Sequence, residues 1–229
     1  MGVTDTNGAD SVKRLRRLDC CAVSDALDQL GMTGQVTGVP KRSGGAARIA
    51  GQAVTLKLHD GPRPDGPVRH LGTTAVELSG PDTVIVVEQR TGLDAGCWGG
   101  LLTLGAKLRG VAGVVADGPV RDIDEARDYD FPIFSTALTA LTARSRVVEA
   151  ATNAPVTPWG VTVNPGDYVI ADSSAIIFIP ADRIEAVLET AEAIAFKEAA
   201  MARALMAGKP ISAVMGGDYE HMLDGGKGQ

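Results

Sequence analysis

The residues from Asp94 to Glu125 carry the densest chemistry in the chain. Trp98-Gly99-Gly100 stands just before Leu101–Leu108, whose leucines recur at helical intervals. Two glycines allow a ligand to approach the backbone closely. The first amides of the helix, from Gly100 to Thr103, lack intrahelical acceptors and lie at its positive end. Such a start can receive a carboxylate or a phosphate, although the same glycines also suit a plain tight turn. Downstream, the β-branched run VAGVVA (111–116) delivers Asp117-Gly118-Pro119-Val120-Arg121-Asp122 at a strand's C-terminal end, where ligands gather in α/β sheets. Arg121 beside Asp122 reads two ways. One is a surface ion pair worth less than about 1 kcal/mol. The other is a division of labour: Asp122 offers hard oxygen to a divalent metal, and Arg121 grips an anionic oxygen of a substrate. Glu125 lies three residues on, so a helix beginning there sets both carboxylates on one face.

Other reactive side chains fit quieter roles. The cysteines at 20, 21 and 97 are odd in number and form no CxxC pair, which suits reduced thiols. Cys97 has no acid–base partner in sequence, so nucleophilic work is not expected of it. Lys107 sits near a helix end beside Arg109 and reads as a solvated side chain, which leaves no good Schiff-base lysine. His70 follows the loop HDGPRPDGP (59–67) and either faces the site or caps a helix at the surface. His59 and His221 read as surface residues. Trp98 walls a pocket or packs a loop, and Asp117 supports the site or accepts backbone hydrogen bonds in its own turn.

The elements that must hold these groups follow from periodicity and punctuation. Ser11 to Leu30 is helical with a break near Cys20–Val23, a cap at Ser24-Asp25 and a stop at Gly31. Gly34 to Gly45 reads as loop, Ala46 to Leu58 as a strand bent at Gly51, and Val68 to Leu78 as a short helix. TVIVVEQ (83–89) and VAGVVA are buried strands, Ile123 to Arg127 starts a helix, and DFPIF (130–134) is a short strand. Residues 161–163 and 168–171 suggest a hairpin about the turn NPGD, and 175–179 a further strand. Pro180 to Ala207 is one long helix closed by Gly208. This order predicts an α/β fold with a partly parallel centre, in one domain over 11–215 between a flexible N-terminal tail (1–10) and a C-terminal tail (216–229).

Composition narrows the partners. The 229 residues are 45% apolar, which suits one compact domain. Lys+Arg number 22 against 28 Asp+Glu, so no basic stripe is left over for nucleic acid. No run approaches the roughly 20 apolar residues of a membrane span, and the N-terminus has no signal-like apolar region. A soluble, cytoplasmic protein is expected.

The spacing Gly100, twenty residues, Arg121-Asp122, two residues, Glu125 resembles the motif of the class II aldolases for 4-hydroxy-4-methyl-2-oxoglutarate and 4-carboxy-4-hydroxy-2-oxoadipate, in the RraA-like superfamily. The likeness extends over VSDALDQLG (23–31), GQAVTL (51–56), WGGLLTLGAKLRGVAGVVADGPVRD (98–122), FPIF (131–134), GVTVNPGDYVIAD (160–172) and IIFIP (176–180). The chain departs from it at Asp172-Ser173-Ser174-Ala175, where the family often has an Asp-Gly-Val-like segment, and in the 59–67 loop.

The resemblance implies a single-domain β/β/α layered fold akin to a swivelling phosphohistidine-type domain. It also implies a homotrimer, or a dimer of trimers (homohexamer), with sites between subunits. It implies Mg²⁺ or Mn²⁺ on Asp122, Arg121 on the enolate oxygen of a 2-oxo acid, amides of Gly100, Leu101, Leu102 and Thr103 on its carboxylate, and Glu125 on the waters of the ion. The implied reaction splits a 4-hydroxy-2-oxo mono- or dicarboxylic acid into pyruvate and a second oxo compound, with oxaloacetate decarboxylation as a side activity. Glu198 matches a glutamate drawn from a neighbouring subunit, and the general base is left open. The same scaffold serves non-catalytic regulators of an RNA-degrading nuclease, which typically lack the acid at position 125. A related lyase of specialised metabolism is the third reading.

Overall fold

The computed structural model describes residues 6–45, 48–62 and 69–216. His221 and most of the 59–67 loop and of the 216–229 tail lie outside them. In chain order the elements are α1 (Thr6–Leu15), α2 (Cys20–Gln29), β1 (Gln35–Val36), β2 (Lys41–Ser43), β3 (Ile49–His59), α3 (Thr73–Leu78), β4 (Thr83–Glu88), α4 (Gly100–Leu108), β5 (Gly113–Val120), α5 (Ile123–Asp128), β6 (Ile133–Leu138), β7 (Val148–Thr152), β8 (Tyr168–Ala171), β9 (Ile176–Ile179), α6 (Ile184–Met206) and α7 (Ile211–Val214).

One sheet runs β1-β9-β8-β3-β4-β5-β6-β2, with β7 added to β3. Its centre, β3-β4-β5-β6, is parallel, as the runs TVIVVE and GVVA require of strands buried on both faces. The long strand β3 carries two antiparallel partners on one edge: Ile49–Gln52 pair with β8 and Leu56–His59 with β7. The strand alternation feeds three cores. Leu56, Ile85, Val114 and Ala116 pack under α3, α4 and α5. Ala53, Val84, Val86 and Val115 point the other way, against Phe134, Val156 and Val163. Ile170, Ile177 and Ile179 receive α1, α2 and the first half of α6 through Leu15, Leu27, Val187 and Leu188. Arg14 ties α1 to α6 through Glu185 and Glu192.

Four expectations change. The N-terminal helix begins at Thr6, inside the stretch expected to be a tail. The cap of α2 is Asp19, whose side chain accepts from the Ala22 amide, and not Ser24-Asp25. The 34–45 segment holds two short strands, because each finds an antiparallel neighbour at a sheet edge. The 161–171 hairpin does not form. Val163 makes a lone bridge to Val156, and Tyr168–Ala171 spends its two edges on β3 and β9. Among the described residues no helix is long and apolar enough to cross a membrane.

Candidate active site

Strand β5 continues through DGPV to Val120, past the turn expected at Asp117, because two connecting segments pair with its end. The Cys97 amide donates to Pro119 O at 2.8 Å and the Arg121 amide to Trp98 O at 3.0 Å. On the other side the Thr139 amide donates to Val120 O, and the Gly96 amide to Leu141 O, each at 2.9 Å. These bonds fix a floor from which α4 and α5 both start. Trp98, 1% exposed, anchors the floor. Its Nε1–H donates to Thr103 Oγ1 at 3.0 Å, and that hydroxyl donates to Gly99 O, also at 3.0 Å.

Asp122 adopts the left-handed conformation (φ 57°, ψ 37°), which an aspartate tolerates better than most residues and which clusters at functional sites. This turns its carboxylate back onto the start of α4. The Gly100 amide donates to Asp122 Oδ2 at 3.0 Å, and Arg121 Nε donates to Oδ1 at 3.1 Å and Oδ2 at 3.2 Å. Glycine at 99 and 100 leaves the room that two carboxylates occupy. A Cβ at 99 would lie 2.9 Å from Asp122 Oδ2, and one at 100 would lie 1.9 Å from Glu125 Oε2 and 3.3 Å from Asp122 Cβ. The Asp122 carboxylate thus sits against Gly99 and the Gly100 amide, and the Glu125 carboxylate against Gly100, so the two acids meet the same start of α4.

Trp98, Gly99, Gly100, Arg121 and Asp122 line an open cleft of about 300 Å³ with His70, Leu71, Gly96, Leu101, Leu102, Thr142, Ala143 and Arg144, whereas Glu125, exposed behind Gly100, and the buried Thr103 are not part of its lining. Arg121 and Asp122 are each about one-third exposed there (36% and 31%). Nε takes the whole of the Arg121–Asp122 pair, so the two Nη groups of the fork stay open to a planar anion. Of the amides at the α4 start, that of Gly100 is held by Asp122 and that of Thr103 by Gly99 O at 3.0 Å. Among the described residues, Leu101 and Leu102 carry the two amides with neither an intrahelical nor a side-chain acceptor.

The donor set can be tested against a metal. Among the described residues no three His, Cys, Asp or Glu side chains are grouped so that they could hold a metal ion by themselves. One partly exposed carboxylate in the cleft, Asp122, with the exposed Glu125 beside the same helix start, fits a hard ion that keeps most of its water, as Mg²⁺ does, and does not fit a zinc cage.

Several other sequence candidates lie elsewhere or do structural work. Glu198 stands on α6, where burial first, and then the nearby Asp19 and Asp25, raise its pKa, and it does not line this cleft in its own chain. Cys97 is wholly buried, and burial pushes its thiol up to about 12, against any nucleophilic role. Lys107 reaches the carbonyl of Asp130. Asp117 accepts from the Trp159 amide at 2.7 Å and lies 3.7 Å from Arg90, holding the 157–160 turn. His70 does reach the cleft, with Nδ1 2.9 Å from Leu71 O. The wall formed by Thr142, Ala143 and Arg144 has no sequence signal, because it returns from a loop after β6 with no motif of its own.

The comparisons bear on the family and the fold. The family model RraA-like, described as Aldolase/RraA, matches residues 20–178. The chain is 30% identical to the protein DlpA of Legionella pneumophila over 87% of its own length, and spans about a third (32%) of that relative. It is 29% identical to a protein of Halalkalibacterium halodurans that carries the provisional name 4-hydroxy-4-methyl-2-oxoglutarate aldolase, covering 80% of this chain and 82% of that one. Among solved structures, Streptomyces coelicolor RraAS2, described as an unusual member of the RNase ES inhibitor RraA protein family, superposes with a TM-score of 0.71 at 26% identity, over 86% of this chain and 96% of that one. The sheet order, the paired starts of α4 and α5 and the matched span leave one assignment: the chain belongs to the RraA-like family.

Proposed function

We propose that this protein is a divalent-metal-dependent lyase that cleaves a 4-hydroxy-2-oxo acid to pyruvate and a second oxo compound. The observation that carries the reading is the convergence of Asp122, Glu125, Arg121 and the α4 start on the two glycines at 99 and 100. The provisional aldolase name of the Halalkalibacterium relative supports it.

In the cleavage, the 4-hydroxyl loses its proton and its electrons form the new C=O. The C3–C4 bond breaks, and that electron pair moves through C2–C3 to leave an enolate oxygen on C2, with C3 later taking a proton to give pyruvate. The residues match the charges this creates. The outward amides of Leu101 and Leu102, at the positive end of α4, suit the C1 carboxylate. The open Nη groups of Arg121 suit the C2 oxygen, where negative charge grows as the bond breaks. Asp122 would hold Mg²⁺ or Mn²⁺, with Glu125 as the second carboxylate on that side. Bound there, the ion supplies Lewis-acid stabilisation of the developing charge. Asp122 also keeps the Arg121 fork oriented through Nε, so that its binding face is set before substrate arrives. Assembly into a trimer or a dimer of trimers would bring a neighbour's α6, with Glu198, toward the cleft.

The test is pyruvate release from 4-hydroxy-2-oxo acids and from oxaloacetate, with and without Mg²⁺. Turnover that needs the ion and falls by about 10³-fold or more in Asp122→Ala is expected. The likeness to RraAS2 favours one second reading, a non-catalytic partner of an RNA-degrading nuclease. Stable capture of such a nuclease, with no metal-dependent turnover of any of these acids, selects that reading and ends the first.

A further inference from the structure

Retro-aldol cleavage needs a base for the 4-hydroxyl proton, and the lining of the cleft narrows the choice. Asp122 is engaged by the Gly100 amide and by Arg121, and it is the proposed ligand of the ion. Arg121 and Arg144 stay protonated and offer donors only. Trp98 Nε1 is a donor too, and it is spent on Thr103. Thr142 Oγ1 accepts from the Arg144 amide at 3.3 Å, and a threonine hydroxyl is not among the side chains that serve as general bases. Among the described residues of the lining, His70 is the side chain left that can take a proton.

Local bonds prepare its ring for that task. Nδ1 lies 2.9 Å from Leu71 O. A carbonyl only accepts, so Nδ1 carries the proton and Nε2 the lone pair. The backbone that presents the ring is fastened on both sides of Leu71. His70 O accepts from the Thr73 amide at 3.3 Å and from the Thr73 hydroxyl at 2.8 Å. The Gly72 amide donates to Glu149 Oε2 at 2.8 Å, and Glu149 in turn accepts from the Thr152 hydroxyl of the same strand, β7. Gly72 has φ 79°, and a Cβ there would stand 3.1 Å from Leu102 Cδ1, so this segment is seated against the first turn of α4. The ring and the proposed carboxylate seat therefore share one support.

We infer that His70 Nε2 is the general base that removes the 4-hydroxyl proton. The assignment rests on the lyase reading above, in which the α4 start, Arg121 and Asp122 account for C1 and C2. What extends beyond C2 meets the rest of the lining, where His70 holds the lone pair. The O–H electrons form the new C=O, the C3–C4 pair ends on the C2 oxygen, and the proton passes to Nε2. The ring, exposed on its outer side, then releases that proton to solvent from the imidazolium.

The experiment uses two reactions that share the enolate and differ in the hydroxyl. Oxaloacetate loses carbon dioxide from C4 and has no hydroxyl proton to remove. Values of kcat and KM are measured with Mg²⁺ for cleavage of 4-hydroxy-2-oxoglutarate and 4-hydroxy-4-methyl-2-oxoglutarate, and for decarboxylation of oxaloacetate, on the wild type and on His70→Asn. The asparagine amide can keep the bond to Leu71 O while Nε2 is gone. His70→Asn is expected to lower kcat for the hydroxy acids by about 10²–10⁴-fold at little change in KM, and to leave oxaloacetate decarboxylation near its wild-type rate. Cleavage undiminished in His70→Asn, or an equal loss in both reactions, overturns the role of His70 and leaves the lyase reading standing. A wild type that cleaves neither hydroxy acid, whatever it does with oxaloacetate, defeats the lyase reading and this inference with it.

Discussion

Arg14 and Arg121 both stand beside carboxylates, and they do different work. Arg14 engages all three of its guanidinium nitrogens: Nε and Nη2 donate to Glu192 and Nη1 to Glu185, each at 2.8 Å. It clamps α1 onto α6. Arg121 meets its carboxylate through Nε alone, at 3.1–3.2 Å, and its neighbour Asp122 sits in a left-handed conformation that a helix start would not choose for stability. The same pair of residue types thus makes a fastening where every guanidinium nitrogen is engaged and a site where only Nε is. What separates them is the geometry of the partner, and that geometry was set by two glycines.

This contrast can be broken at either end. Arg121→Ala should lower turnover of the proposed substrates by about 10²–10³-fold, while its melting temperature stays near that of the wild type. Arg14→Ala should do the reverse, costing about 1 kcal/mol in denaturant unfolding with turnover unchanged. Gly100→Ala probes the close approach. Its methyl cannot coexist with Glu125 where that carboxylate now lies, so turnover should drop by tens of fold as the two carboxylates part. Trp98→Phe deletes one buried donor while the Thr103 hydroxyl keeps its bond to Gly99 O. A loss of about 1 kcal/mol, or about 2–4 °C in calorimetric melting, is expected.

The smallest effect is a pH dependence far from the cleft. Burial works against ionisation of Asp172, but donation from the Cys20 and Ser174 amides outweighs it and holds the carboxyl below its ordinary value. An acid depressed in the folded state stabilises it above the unfolded pKa, about 3.9, and that contribution is lost as pH falls through the folded value. Asp172→Asn should therefore melt below the wild type at neutral pH, and the gap should close as the pH is taken below about 4.

The sequence revealed local order and hid distant pairing. The helix α6 and the strands β4 and β5 were legible because their apolar periods or β-branched runs are long. Strand β7, VEAAT, has half-buried or exposed side chains throughout and no apolar alternation, so nothing marked it. Strand β8 was assigned to a hairpin because NPGD is a strong turn signal, whereas its partner β3 lies more than a hundred residues away in sequence. The site divides in the same way. Gly100, Arg121, Asp122 and Glu125 announce themselves through spacing, since the strand between them sets their approach. The αL turn at Asp122 and the wall at 142–144 depend on loops meeting from separate parts of the chain, and no local pattern encodes that meeting.

The central claim is that residue 122, the guanidinium beside it and the α4 start form one seat for a keto acid and a divalent ion together. Pyruvate affinity measured with and without Mg²⁺, on the wild type and on Asp122→Ala, tests it most directly. Linked binding predicts that Mg²⁺ tightens pyruvate by about tenfold or more in the wild type and has no effect in the variant. Pyruvate affinity indifferent to Mg²⁺ in the wild type, or an equal tightening in Asp122→Ala, would contradict the account.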